Sequence, residues 1–183
     1  MSSNPIPEPW HSFFAEIDRS LKEQLALHCL GGFVMTIFYG LDRPTADVDV
    51  MPIGANSETE SLLSLAGEGS VLYKKYKVYV QVVGVATVPV NYEDRLNEMF
   101  PGTLKHLRLF ALDPYDLALS KLERNTQRDR DDAKHLARTV PFDLNVFQER
   151  YQKELRPDLG NQEREDLTLK LWIEMIQEDR QRR

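Results

Sequence analysis

Two aspartates separated by one valine carry the strongest chemical signal in this sequence. Asp47 and Asp49 lie in the segment TADVDVMPI, where acidic and apolar residues alternate. Alternate residues of a β-strand share a face, so the two carboxylates would lie side by side while the valines pack on the core. Adjacent carboxylates repel each other unless a cation lies between them. Mg²⁺ binds oxygen ligands and is commonly shared with substrate phosphates, so the pair indicates a magnesium site suited to phosphoryl-type transfer.

A Gly-Gly pair precedes the aspartates, with fourteen residues between Gly32 and Asp47. Gly31 and Gly32 lack a Cβ, so their backbone amides can approach a ligand closely. If a helix begins at Phe33, its free N–H groups and its dipole favour a phosphate at that point. Two plainer alternatives stay open: the glycines form a tight turn, and the aspartates lie on a solvated strand face. The order and spacing of the two motifs favour a phosphate cradle opposite an acid pair.

The composition excludes several classes of protein. The chain has 183 residues and a formal net charge of −6, which argues against a general basic surface for nucleic acid. The single cysteine, Cys29, excludes an internal disulfide framework and fits a reducing compartment. The segment MSSNPIPEPW has no signal-peptide pattern, and no run of about 18 apolar residues could span a membrane. We therefore expect a cytoplasmic protein.

Helices and strands alternate in the half of the chain that must position these motifs. The apolar spacing from Trp10 to Leu25 predicts an amphipathic helix, and LALHCL predicts a buried strand or the end of that helix. FVMTIFYG predicts a short helix that Gly40 closes, and NSETESLLSLAG predicts another helix. Strands are predicted for TADVDVMPI, for HLRLFAL, and for one or two parts of SVLYKKYKVYVQVVGVATVPV, of which 77–83 is the clearest.

The second half of the chain is predicted to be helical. Asp113 is a helix cap with Pro114 at the first helical position, and DRDDAKHLARTV continues as a second helix. PFDLNVFQERYQKEL and NQEREDLTLKLWIEMIQEDR predict two more helices. The sequence thus predicts an α+β fold, with strands and helices in a domain of residues 1–112. A helical C-terminal portion, residues 113–183, would pack on that core.

Two blocks of this sequence resemble a known superfamily. LGG, a helix-length gap and DVDV resemble the signature of the polymerase-β-type nucleotidyltransferase fold, although the gap of fourteen residues is long. The later segment LDPYDLALSKLERNTQRDRDDAKHLA is similar to the AbiEii-like branch and its uncharacterised bacterial relatives, where a helix bearing a lysine precedes an Arg-Asp-rich helix start. The resemblance covers roughly residues 25 to 138 and implies a nucleotidyltransferase-like mixed β-sheet flanked by helices.

The resemblance also implies a reaction and a set of residues for it. A nucleoside monophosphate would be transferred from a nucleoside triphosphate with Mg²⁺, and pyrophosphate would leave. Asp47 and Asp49 would hold the metal. The residues implied for catalysis are Asp47, Asp49, Lys121 and Asp129. Those implied for nucleotide binding are Gly31, Gly32, Arg43, Thr45, Lys121 and Asp132.

Helical spacing supports inward positions for three of these residues. Lys121 lies at the margin of the apolar stripe of its predicted helix, where a long stem can present an ammonium to a cleft. Asp129 and Asp132 each precede a stripe residue of the next helix by four positions, so both begin on its inward side. In the alternative, the two aspartates cap that helix or offset its dipole, and Lys121 forms a surface ion pair with Glu123 or with another acid.

One position departs from the superfamily pattern. Many members supply a third carboxylate from a neighbouring strand, and Gln81 stands where that acid is expected. An amide is a poor general base and a weaker metal ligand than a carboxylate. Either Asp129 substitutes as the base, or the chain binds nucleotide with little or no turnover. Members of the branch often lack the third acid, so activity is compatible with the glutamine.

Three hypotheses follow for the function. The first is an enzyme that modifies an RNA, such as a tRNA end, or a protein side chain, with a role in a toxin–antitoxin pair or in phage defence. The second is a nucleotidyltransferase-like module that binds nucleotide, or acts as an antitoxin, without catalytic turnover. The third is an α+β interaction domain whose acid pair is incidental. A cognate toxin or antitoxin partner belongs to the first two hypotheses.

Overall fold

A computed structural model describes residues 5–52, 54, 56–84 and 87–182. These residues divide into two compact units, one within 1–85 and 96–111 and the other within 86–95 and 112–183. The second unit therefore includes a short segment that lies, along the chain, between the two parts of the first unit. The division into domains at residues 112 and 113 stays a prediction.

The first unit is built around a five-stranded mixed sheet. The strands lie in the order β3-β2-β1-β5-β4, with β1 parallel to β5 and β2 parallel to β3. The other two pairs are antiparallel. The elements in chain order are α1 Trp10–Ser20, β1 Leu25–Leu30, α2 Gly31–Phe33, a π-helical segment Val34–Phe38, β2 Asp47–Val50, α3 Asn56–Ala66, α4 Val71–Tyr76, β3 Tyr79–Val82, β4 Asn97–Met99 and β5 Leu107–Ala111. The predicted α+β fold with a mixed, helix-flanked sheet is confirmed.

The first helix ends earlier than its apolar spacing predicts. It stops at Ser20, and Leu25 begins β1, where its N–H donates to the carbonyl of His106 at 2.9 Å. The carboxylate of Asp18 accepts N–H groups from the segment before β5, including those of His106 at 2.6 Å and Leu107 at 2.7 Å. These bonds fix the end of the helix against the sheet, so LALHCL is a strand and the helix-end alternative is wrong.

Two short elements also differ from the sequence prediction. The segment 71–76, included in a strand-forming stretch, is the helix α4, because Ser70 caps it by accepting the N–H of Tyr73. Lys77 ends it in the left-handed region with a φ of 60°. The strand β4 has three residues and was not predicted, since so short an edge strand has too few residues to show alternation.

An aromatic cluster packs α1 against Phe33, the last residue of α2. The ring centroid of Phe33 lies 4.7 Å from that of Trp10 and 5.7 Å from that of Phe14. All three side chains are buried. Burial of this much aromatic surface is a large stabilising term, and it fixes the backbone directly after the Gly-Gly pair.

The second unit is helical, as predicted. Its elements are a 3₁₀ turn Tyr92–Arg95, α5 Pro114–Leu119, α6 Gln127–Thr139, α7 Leu144–Arg150, a π-helical segment Tyr151–Leu155, a 3₁₀ turn Arg156–Asp158 and α8 Gln162–Gln181. Asp113 caps α5 by accepting the N–H of Asp116 at 2.8 Å, which confirms the predicted cap. Among the described residues, no helix combines the length and the apolar character needed to cross a membrane.

Candidate functional site

The two aspartates lie on one face of β2, as their alternation predicts. Val48 and Val50, on the other face, are fully buried, while Asp47 and Asp49 are partly exposed. The valines fix the register, because a shift by one residue would bury both carboxylates. The strand thus presents two carboxylates side by side without taking either out of contact with solvent.

The backbone at Gly31 comes unusually close to Asp49. Leu30 is the antiparallel partner of Asp49, so the chain leaves β1 and enters α2 beside that carboxylate. A Cβ on Gly31 would lie 3.1 Å from the Cβ of Asp49, 3.0 Å from its Cγ, and closer still to Oδ2. Gly31 also has a φ of +69°, in the region that favours glycine. The structure therefore brings the Gly-Gly motif and the acid pair together.

Strand β3 supplies the neighbours of the acid pair on the other side. In the parallel register Tyr79 is the partner of Asp47, and Gln81 is the partner of Asp49. Partners in register point to the same face, so a phenol and an amide stand beside the two carboxylates. Burial raises the pKa of Tyr79, and the negative charges of Asp47, Glu68 and Asp49 raise it further. Tyr79 therefore stays neutral and can act only as a hydrogen-bonding group near these carboxylates.

Thr45 and Arg43, which precede the acid pair in the sequence, make different contacts. Thr45 contacts Asp47. Its hydroxyl donates to Oδ1 of Asp47 at 3.3 Å and to the backbone carbonyl of Asp47 at 3.2 Å. The backbone carbonyl of Arg43 accepts the hydroxyl of Thr36 at 2.8 Å, which ties this loop to the π-helical segment. Thr45 is thus directly in reach of the acid pair, while Arg43 helps to shape the loop that leads into β2.

The donor set on this face fits a hard divalent cation. Asp47 and Asp49 offer carboxylate oxygens, and Gln81 offers an amide oxygen at the neighbouring position. Mg²⁺ takes such ligands and completes its shell with water and substrate oxygens. Across the residues that the structure describes, no group of three or more His, Cys, Asp or Glu side chains could hold a metal ion. A cation here would therefore be held by the two carboxylates, with water or substrate oxygens as its remaining ligands.

In the second unit, Lys121 and Asp132 form a buried ion pair. The Nζ of Lys121 lies 3.0 Å from Oδ2 of Asp132, and the side chains are 4% and 1% exposed. Lys121 follows α5, which ends at Leu119, so its predicted position on the margin of that helix is wrong. The turn after the helix places the ammonium against α6 instead. The alternative prediction of a surface ion pair is right about the pairing and wrong about its place, because the pair is buried and the acid is Asp132, not Glu123.

Asp129 caps α6. Its Oδ2 accepts the N–H of Thr126 at 2.9 Å, and the Thr126 hydroxyl lies 3.3 Å from the Asp129 N–H in return, which completes a capping box. Arg124 donates to the same carboxylate, with Nε 3.0 Å from Oδ2. Burial opposes ionisation of this carboxyl, but the hydrogen bonds from Arg124 and Thr126 prevail and lower its pKa to about 2. Such a carboxylate is a weak base at neutral pH.

Two contributions were not recognised in the sequence. The sequence does not single out Tyr79, because its pairing with Asp47 depends on the register of β2 and β3, which one sequence does not contain. Arg124 is not singled out either, although its position five residues before Asp129 allows it to reach forward to the capping carboxylate. An arginine shortly before a predicted capping box is the sequence signal that indicates such a contact.

One of three comparisons with known proteins finds a match. No curated protein and no solved structure matches the chain. A family profile matches residues 12–180, which is most of the chain, and its family is described as a nucleotidyltransferase of unknown function, DUF6036. The acid-pair face of β2 and the Gly-Gly turn both lie inside the matched region, and the chain belongs to this nucleotidyltransferase family.

Proposed function

We propose that this protein transfers a nucleoside monophosphate from a nucleoside triphosphate to a hydroxyl acceptor in a reaction that depends on Mg²⁺. The observation that carries the proposal is the face on which Asp47 and Asp49 stand together, with the backbone at Gly31 against Asp49. Family membership supports a triphosphate substrate. Mg²⁺ bound by the two carboxylates would neutralise charge on the phosphates and lower the pKa of a coordinated hydroxyl.

The residues of the first unit have separate proposed roles in binding the cation and the triphosphate. Asp47 and Asp49 hold the cation, and the Gly31-Gly32 backbone is the proposed contact for the triphosphate. Thr45 and Arg43 are the proposed further contacts for phosphate. In the reaction a bond forms between the acceptor oxygen and the α-phosphorus. The bond from the α-phosphorus to the bridging oxygen breaks, and its electron pair leaves with pyrophosphate.

The acceptor proton must pass to a base, and two candidates are poor. The amide of Gln81 does not accept a proton at neutral pH. Asp129 has a pKa of about 2 and is held by Arg124 and Thr126, so the proposal gives it a helix-capping role. The proton therefore passes to the acid pair or to water beside it. A role for Lys121 and Asp132 in binding nucleotide stays a prediction.

The glutamine favours a second candidate function. Because Gln81 stands beside Asp49 where a third carboxylate is expected, the site is weaker as a base than as a ligand for a cation and triphosphate. The alternative is therefore a nucleotide-binding module, or an antitoxin, without catalytic turnover. It shares every binding residue with the first candidate and differs only in the chemical step.

Incorporation of label separates the two candidates. The protein is incubated with Mg²⁺, each of the four α-labelled nucleoside triphosphates, and total tRNA, with the protein itself as a second acceptor. Transfer predicts that label enters RNA or protein, that it depends on Mg²⁺, and that Asp49→Asn removes it. Nucleotide binding without label in either acceptor would favour the module without turnover. Label transfer that Asp49→Asn leaves unchanged would overturn the assignment of the site.

The acceptor and the biological setting rest on the resemblance to the AbiEii-like branch. We propose an RNA end or a protein side chain as acceptor, and a role in a toxin–antitoxin pair or in phage defence, in the cytoplasm. A paired system predicts a small partner encoded next to this gene that binds the chain and suppresses the labelling reaction. Normal growth of cells that overproduce the active chain alone would contradict the toxin role.

A further inference from the structure

We propose that Gly31 is a positioning residue for the carboxylate of Asp49, which rests on the proposed function. The resemblance assigns the Gly-Gly pair to the triphosphate, but the closest approach at Gly31 is to an acid of this chain. The missing Cβ leaves the space in which the Asp49 carboxylate lies. Gly31 therefore serves the divalent cation, through Asp49, in addition to any contact with phosphate.

The space at Gly31 has little freedom to adjust. Asp49 is held on both sides by the sheet, since Leu30 is its partner on β1 and Gln81 is its partner on β3. On the other side, the backbone is fixed by Phe33, which is buried against Trp10 and Phe14 two residues after Gly31. An added Cβ cannot be relieved by moving either backbone cheaply. The carboxylate itself must rotate away from its position.

Rotation of the carboxylate changes what the strand can bind. Asp47 would stay in place, because the three atoms nearest to an added Cβ on Gly31 all belong to Asp49. Asp49 would stay on the shared face, but its carboxylate oxygens would turn away from Asp47. A cation bound by two carboxylates would then lose one of them, while the strand, its valines and the fold around them are retained.

The chain contains a matched control for the backbone. Gly40 has the same φ of +69°, so alanine there suffers the same left-handed strain. A Cβ at Gly40 meets no described atom within 4 Å. The difference between Gly31→Ala and Gly40→Ala therefore measures the contact with Asp49, because the cost of the backbone conformation is common to both.

Titration with Mn²⁺ alone, read as the melting temperature, tests the cation site without relying on turnover. Mn²⁺ shares the oxygen ligands of Mg²⁺. Wild type and Gly40→Ala are expected to have equal half-saturating concentrations. Gly31→Ala is expected to need about 10- to 100-fold more Mn²⁺, the usual effect of removing a group that orients a metal ligand.

Equal half-saturating concentrations in the two alanine variants overturn the inference alone. A wild type without any response to Mn²⁺ overturns the proposed function and the inference with it.

A second measurement covers the case in which Gly31→Ala folds poorly. Asp49→Ala removes the two closest atoms and leaves only the approach of 3.1 Å between the β-carbons. The fall in melting temperature caused by Gly31→Ala is therefore expected to be smaller in the Asp49→Ala background than in wild type, and close to that caused by Gly40→Ala. The same fall in both backgrounds overturns the inference, since the cost would then be independent of the carboxylate.

Discussion

Asp49 and Gln81 are register partners on the parallel strands β2 and β3, so an amide stands beside the carboxylate at the proposed cation site. Gln81 is exposed, and Asp49 is partly exposed. This pairing places an amide, and not a third carboxylate, next to the acid pair. It also gives the most direct way to strengthen the site by one substitution.

Gln81→Glu is expected to lower the half-saturating concentration of Mn²⁺ or Mg²⁺. A third carboxylate beside Asp47 and Asp49 adds charge and a better ligand, and affinity for such cations rises with the number of charged ligands. The melting temperature measured against cation concentration reports the change. Without a cation the variant is expected to be less stable than wild type, because three adjacent carboxylates repel each other.

The control for Gln81→Glu is Gln24→Glu, which adds the same charge just before β1 begins. Asp49 pairs with Leu30 at the far end of β1, so this charge lies away from the acid pair. Gln24→Glu is expected to leave the response to cation unchanged. Equal responses of the two variants would contradict the placement of Gln81 at a cation site.

Lys121→Met is expected to destabilise the second unit by about 3 to 5 kcal/mol, because it leaves the buried carboxylate of Asp132 without its ammonium. Replacing both partners, as in Lys121→Met with Asp132→Leu, is expected to recover most of that loss. Urea denaturation of the single and double variants gives the free energies. A matched surface control is Lys134→Met, whose partner Asp131 is 52% exposed, and a change of about 1 kcal/mol or less is expected there.

A loss of nucleotide binding in the fully folded double variant would give Lys121 a direct contact with the triphosphate, as the resemblance implies. Retained binding in the double variant would limit Lys121 and Asp132 to stabilising the second unit. The two outcomes can be distinguished because the double variant removes both charges and preserves the packing.

Asp129→Asn is expected to change how stability depends on pH. The pKa of Asp129 is lowered in the folded state, from 3.8 to about 2, so the unfolded state binds more protons between these values. The stabilisation is therefore complete above the unfolded pKa and is lost as the pH falls through about 2. Denaturation measured from about pH 5 to pH 2 should show a smaller decline for the variant, since it lacks this carboxyl.

Asp131→Asn is the control for that measurement. Asp131 lies on the same helix and is also paired, with Nζ of Lys134 at 2.8 Å, but it is half exposed. Its replacement should cost far less stability than that of Asp129. If Asp129→Asn kept the full stability and pH dependence of wild type but abolished label transfer, the capping role would be wrong and a catalytic role would be supported.

The parts of the fold that sequence predicted well are those with local causes. The alternation of DVDV placed two valines inside and two carboxylates outside, and Asp113 with Pro114 started α5. The predictions that were wrong concern features that depend on residues far away in the sequence. The end of α1 is set by Asp18, which accepts N–H groups from residues 105–107, and no local pattern contains those bonds.

In the candidate site, too, the features with local causes were predictable and those that depend on distant residues were not. Its carboxylates and glycines follow from spacing, because alternation and the lack of a Cβ act within a few residues. The closeness of Gly31 to Asp49 depends on the antiparallel register of β1 and β2, and the partner of Lys121 depends on how the turn after α5 meets α6. Register and ion-pair choice are decided by tertiary packing, so the sequence alone left both open.

Thermal unfolding measures whether Asp47 and Asp49 bind a nucleoside triphosphate through Mg²⁺. A ligand at 100 times its Kd stabilises a protein by about 2.7 kcal/mol, which raises the melting temperature of a chain of this size by about 5 to 10 °C. Wild type is expected to show this rise with at least one of the four nucleotides only when Mg²⁺ is present, and Asp49→Asn is expected to fold but to show no rise. No rise in wild type with any of the four nucleotides at millimolar concentration, or an equal rise in Asp49→Asn, would show that the acid pair does not bind the triphosphate through Mg²⁺.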